Sequence, residues 1–334
     1  MPTLTLASVG PGATIQDGGR RGWLRYGVTP AGPMDWVALE TANVALGNAP
    51  DVAAIEIGPG GLALTVDAPL PLAFAGGGFA WTRADVPLPA AARIMLKPGE
   101  TLRARGGTWG SFAVLAVAGG VEVAPVMGSR ATHTRSKLGG LEGRALQAGD
   151  RLAVAAVPPQ DDVAIEAPWL ARSDAPLGVV LGPQDDHFEA DAVDAFLAAT
   201  WTLTPQADRM AYKLDGPRIA AKTHDIVSDG VALGAIQIAG DGQPMVLMAD
   251  RQPTGGYAKI AHVARADIGR LAQLRPGESC RFARIDAEAA RTTLLDLRAK
   301  FARTGDRLAP LRRVPSAASL MGENLVGGVT DALR

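Results

Sequence analysis

The sequence predicts a mainly β protein made of two barrel-like units with a few short helices. Three observations lead there. Gly (40) and Pro (24) are frequent and spread along the chain rather than clustered, so turn signals recur throughout. Between them lie short runs of Val, Leu, Ile and Ala of strand length. The two halves also echo each other loosely: each has a GP-containing loop, a helix and a run of short strands, with too little identity to make a repeat. At 334 residues the chain has room for two domains.

TLTLASVG alternates and reads as a strand. A long Gly-rich polar loop, GPGATIQDGGRRGWLRYGVTPAGPMD, follows. Asp35 then precedes WVALETANVALGN, with helical spacing of apolar residues and Gly47-Asn48 as a stop signal. Short strands come next: AAIEIG, LALTV, LPLAFAGG, ARIML, TLRAR and GSFAVLAVAGGV, many parted by PG or GG pairs. QAGDRLAVAAV adds another turn and strand. VPPQDD opens the best boundary, near Pro158 to Ala175. The domains expected are 1–165, 166–305 with a terminal helix, and a C-terminal arm over 306–334. In the second unit, PLGVVLG is a strand and EADAVDAFLAATW a short helix. Strand-turn alternation then returns as far as IAHV. DIGRLAQ is a short helix, and DAEAARTTLLDLRAKFART a longer one with Ala287, Ala290, Leu294, Leu295, Leu297 and Phe301 on its apolar side.

Composition excludes several function classes. With 33 basic against 34 acidic residues and few aromatics, long-range attraction to nucleic acid has no basis. The single Cys280 excludes an intrachain disulfide framework and any multi-Cys metal site; its setting, GESCRFARI, reads as a buried strand start. No basic and apolar leader opens the chain, and no apolar run approaches the roughly 20 residues of a membrane span. The expectation is a soluble, cytoplasmic protein with no membrane partner.

Four polar stretches carry candidate chemistry. In QDGGRRG, Asp17 and Arg20 either hold a carboxylate or amide of a ligand, or Asp17 bonds loop amides and Arg20 pairs with it; Asp35 reads as a helix N-cap. GSRATHTRSKLGGLEGRAL gathers Arg130, His133, Arg135, Lys137 and Arg144; it is either an anion grip or a solvated loop, and it lacks the GxxxxGK[ST] phosphate loop. In ADRMAYKLDG, a strand would put Arg209, Ala211 and Lys213 on one face. The densest is ADRQPTGGYAKIAHV, Ala249 to Val263. It reads as a polar hairpin tip with Asp250, Gln252, Thr254, Gly255, Gly256, Tyr257 and Lys259. The Gly pair gives backbone amides room to face an anion or carbonyl, and Lys259 is expected on the same face as Tyr257.

In order along residues 3 to 285, TIQDGGRRGWLRYGVTPAGPMDWVALETANVALGN, AIEIG, GSRATHTRSKLGGLEGRALQAGD, LGPQDDHF, ADRMAYKLDG, SDGVALGAIQIAGDGQPMVLMADRQPTGGYAKIA and LAQLRPGESCRF resemble the blocks of the biotin-dependent carboxyltransferase, or allophanate hydrolase subunit 2, family. Its members include the C-type subunit of three-component 5-oxoprolinase, also described as Kip antagonists, and part of urea carboxylases. The resemblance implies two cyclophilin-like β-barrel domains. It also implies a composite site shared with an allophanate hydrolase subunit 1 type partner, with a lactam-utilisation type protein in the 5-oxoprolinase complex. Two positions depart from the pattern: Pro253 stands where Thr is expected, and Ala211 where Gly is usual.

The resemblance implies an ATP-dependent lactam hydrolase subunit, inactive alone, with ATP used by the complex and not placed on this chain. The alternative is a carboxyltransferase taking a carboxyl group from carboxybiotin to urea or a related amide; no Met-Lys-Met carrier motif is present, so biotin would arrive on another chain. A third reading is a regulatory protein that antagonises a kinase inhibitor. The residues expected at the site are Lys259, Tyr257 and Asp250 as catalytic. Gln252, Thr254, Gly255, Gly256, Arg209, Asp17 and Arg20 are expected to bind substrate. No metal is expected.

Overall fold

Twenty-three short strands dominate the described residues, 1–223 and 225–311, of a computed structural model. In the N-terminal half a six-stranded and a seven-stranded sheet enclose one core. The first is centred on Leu62–Val66 and Leu102–Arg105, the second on Ala113–Val117 and Leu70–Ala75. Leu72 and Phe74 point into that core, where Phe74 stacks on Trp81 at 4.0 Å. Ala73 and Ala75, on the opposite face of the same strand, pack beneath helix α1 (Trp36–Ala45) through Ala38 and Ala42. Burial on both faces explains why LPLAFA reads as an unbroken apolar run.

The C-terminal half is one eight-stranded sheet running from Ser279–Cys280 at one edge to Phe282–Arg284 at the other. Those two edge strands are separated in the chain by Arg281 alone, so the sheet curls round to a nearly closed barrel. Its filling includes Trp201, Leu203, Leu214, Ile236, Val246 and Ile260. The helices are α2 (Ala190–Ala198), α3 (Ile268–Ala272) and α4 (Ala287–Ala302). On α4 only Phe301 is buried, with Leu294 and Leu297 packed beside it. Leu295, expected on the apolar side, is exposed, because it lies outside the i, i+3, i+7 stripe of those three residues.

The halves are interlocked. Met34, Trp36 and Val37 at the start of α1 belong to the C-terminal core. Trp36 Nε1 donates to the Arg265 carbonyl at 3.0 Å. Asp35 caps α1 by accepting from the Val37 and Ala38 amides, as the sequence predicts, and also accepts from Gln273 Nε2 at 2.7 Å. Gln273 Oε1 in turn accepts from the Ser111 and Phe112 amides. The chain crosses between the halves after the strand Val163–Ile165 and enters the second sheet at Leu177–Leu181. It then returns: Leu308–Pro310 pairs with Val163–Ile165 as the edge of the N-terminal seven-stranded sheet. The segment expected as an arm from 306 therefore begins as part of that sheet, and its residues 312–334 lie outside the described residues.

Candidate active site

The polar stretch at Ala249 to Val263 is not a hairpin tip. Thr254–Tyr257 forms a separate two-stranded ribbon with Asp225–Gly230, and the strand Lys259–Val263 belongs to the barrel. The functional candidates consequently fall into two clusters.

The first lies where the halves meet. Arg209 sits in a turn ahead of the strand Ala211–Asp215, not within it, and Asp208 fixes that turn by accepting from the Met210 and Ala211 amides. Its guanidinium makes four hydrogen bonds: a bidentate pair to Asp250 at 2.9 Å each, one to Glu56, and one to the Gly32 carbonyl at 2.7 Å. Glu56, 1% exposed, also accepts from the Met34 amide. Burial pushes the Glu56 carboxyl above its ordinary range while Arg209 pulls it back. Arg209 and Asp250, expected to bind and transform substrate, are bonded to each other, and Arg209 gives its remaining donors to Glu56 and Gly32 of the N-terminal half. Their geometry is that of a latch joining residues 32–56 to the barrel.

Asp17 bonds loop amides, as one of the two alternatives has it, but Arg20 turns to backbone carbonyls rather than pairing with Asp17. Asp17 accepts from the Gly19 amide, the Ser129 hydroxyl and the Arg130 amide. Arg20, fully buried, donates to the Val126 and Ala131 carbonyls. Each thereby pins the basic loop to the Gly-rich one. Within that basic loop Arg144 pairs with Asp150 and Arg135 reaches Asp208 of the other half. His133 is buried, and that burial holds its imidazole below the ordinary value.

The second cluster surrounds Lys259. Its ammonium is 1% exposed, yet its contacts are loose: Gln184 Oε1 at 3.3 Å and the half-exposed Asp229 carboxylate at 3.6 Å. Gln184 also reaches Asp229. Gln237 is Lys259's direct cross-strand partner, so the two side chains share a face. Gln237 is 1% exposed and its Nε2 has no acceptor among the described residues. Two buried donors with unused capacity therefore stand side by side. A buried unmet donor costs about 1–3 kcal/mol, which a carbonyl or carboxylate oxygen would recover.

The ribbon covers this pair. A Cβ on Gly255 would come within 2.5 Å of Gln237 Nε2, whereas one on Gly256 meets nothing closer than 3.5 Å. A side chain at position 255 would therefore displace the end of Gln237. Tyr257 is 42% exposed while Lys259 is buried, so the two do not share an environment: Ala258 separates the ribbon strand from the barrel strand. Thr254 is exposed and Gln252 half-buried, and neither side chain makes a hydrogen bond among the described residues. The sequence reading missed Gln237, Gln184 and Asp229. Gln237 had one signal, a lone amide inside the apolar strand AIQI. Glu56, in AIEI, had the same signal.

The described residues contain no group of three or more His, Cys, Asp and Glu side chains arranged to hold a metal, and no helix long and apolar enough to cross a membrane. Burial pushes the Cys280 thiol up to about 12, the setting of an unreactive thiol.

Comparison with known proteins places this architecture. The chain is 34% identical over 288 residues to the C-type subunit of 5-oxoprolinase from Escherichia coli, covering 86% of this chain and 93% of that one. It is 31% identical to urea amidolyase of Lachancea kluyveri over 84% of this chain but only 17% of that protein. The crystal structure of Kluyveromyces lactis urea carboxylase superimposes with a TM-score of 0.83 at 27% identity, covering 94% of this chain and 31% of that one. Residues 26–284 match the model of the carboxyltransferase domain, subdomain A and B, and the chain belongs to that family.

Proposed function

We propose that the chain is a subunit of an ATP-dependent 5-oxoprolinase, converting 5-oxoproline to glutamate in a composite site shared with an allophanate hydrolase subunit 1 type partner and a lactam-utilisation type protein. The observation that carries this reading is the extent of the match. The 5-oxoprolinase relative is covered over 93% of its length, whereas urea amidolyase is covered over 17%. This chain resembles the whole of the first and a portion of the second.

Lactam opening moves negative charge onto the amide oxygen as the carbonyl is attacked. Donors fixed in advance stabilise that charge more than the ground state. Lys259 and Gln237 take this role, with Gln184 and Asp229 setting the ammonium's position. The Arg209–Asp250–Glu56 latch holds the two halves of the protein in register. ATP is the co-substrate of the complex and is not placed on this chain.

The second reading, carboxyl transfer from carboxybiotin to urea or a related amide, is favoured by the likeness to urea carboxylase. A planar ureido oxygen would suit the same two donors. Purified chain, mixed with its two partners, decides between the readings. Glutamate formed from 5-oxoproline and ATP supports the first. Carboxylation of urea from carboxybiotin, without 5-oxoproline cleavage, supports the second.

A further inference from the structure

A cavity of about 550 Å³ lies away from both clusters, between α4, α3 and the segment 169–175 that joins the halves. That is the size of a small-molecule site. Its lining combines Trp109 of the N-terminal half, Trp169, Leu274 and Leu297 with several charged side chains. The ion pairs in its lining satisfy Arg172 with Glu278 and Arg270 with Asp267. Three exposed charged residues remain without an ion-pair partner among the described residues: Lys300 and Asp296 on α4, and Arg281 in the link that closes the barrel. The Nε of Arg270 is also buried without an acceptor. The unmatched set is thus two cations, one extra cationic donor and one carboxylate in a cavity also lined by Trp109 and Trp169.

We propose that this cavity binds a zwitterionic amino acid with a flat apolar side chain. Its carboxylate is taken by Lys300 and Arg281, its ammonium by Asp296, and its side chain packs against Trp109 and Trp169. A ligand with both charges meets Lys300, Arg281 and Asp296 together, whereas a simple anion leaves Asp296 opposed to it and a simple cation leaves Lys300 and Arg281.

Three probes test the charge pattern by titration calorimetry on the full chain: L-tryptophan, indole-3-propionate, which lacks the ammonium, and tryptamine, which lacks the carboxylate. L-Tryptophan is expected to bind about tenfold or more tighter than either, the scale of one lost charge-assisted contact. Asp296→Asn and Lys300→Gln change exposed positions on α4, so folding should survive, which circular dichroism checks. Asp296→Asn should bring L-tryptophan down to the level of indole-3-propionate without changing the latter; Lys300→Gln should weaken both carboxylates and spare tryptamine. Equal binding of all three probes would show apolar adsorption only and overturn the proposal. So would no binding at millimolar concentration, or binding indifferent to both substitutions.

Discussion

Replacing Lys259 by Met separates a catalytic from a structural ammonium. In the folded chain Lys259 has one neutral hydrogen-bond partner at 3.3 Å and one carboxylate at 3.6 Å that is itself 55% exposed. Such contacts are worth roughly 1 kcal/mol or less. Burying the ammonium costs several kcal/mol, so a Met of similar length should leave the thermal midpoint unchanged or slightly raised. Ala is a poorer probe, because it leaves a hole at a buried position. In the transition state a preorganised donor is worth about 2.7–4 kcal/mol, or roughly a hundred- to a thousandfold in turnover. The assay is turnover of the assembled complex with calorimetric melting of the same preparation. Turnover loss at constant melting is the expected pair. Normal turnover, or turnover lost together with folding, would refute the reasoning.

Other consequences follow from the same geometry. Arg209→Met leaves Glu56 and Asp250 buried without their partner and should cost about 3–5 kcal/mol in urea unfolding; a loss under about 1 kcal/mol would show that the latch is dispensable. Gly255→Ala should displace the end of the Gln237 side chain and destabilise by about 1 kcal/mol or less, while Gly256→Ala is neutral, and equal effects would contradict the packing described for the ribbon. Arg144 forks onto Asp150 and, with the Gln147 amide, holds that carboxyl below its ordinary value of 3.8. A depressed carboxylate contributes stability that is complete above pH 3.8 and is lost as the pH falls through the lower folded value. Arg144→Met should therefore flatten the acid limb of the stability profile, and an unchanged slope below pH 4 would count against the pairing.

Much of the fold was legible because local signals and packing agree. Asp35 and Gly47 bracket α1 in sequence and in structure. The hairpin Ala80–Arg83 to Val86–Leu88 was not legible, because its two-residue turn is Ala84-Asp85, both at positive φ, where Asn-Gly would have announced it. The edge strand Leu308–Pro310 was missed for a different reason: three residues carry no period, and their partner lies far back in the chain. At the site, Lys259 was readable as a charge in a strand. Its partner Gln237 was not, because which residues stand opposite one another is a matter of register, and here the register shifts between Ile236 and Gln237. Arg209 and Asp250 looked like free ligand groups in sequence because their pairing with each other, and that of Arg209 with Glu56 and Gly32 across the two halves, depends on contacts distant in the chain.

The central claim is that this chain supplies the donors for one lactam-opening reaction of an ATP-dependent complex. The most direct measurement is glutamate release from 5-oxoproline and ATP by the three purified components, with each omitted in turn and with Gln237→Leu in place of the native chain. The account predicts turnover only in the complete mixture, and a loss of about a hundredfold with Gln237→Leu at unchanged assembly. Full turnover without this chain, or with Gln237→Leu, would contradict it.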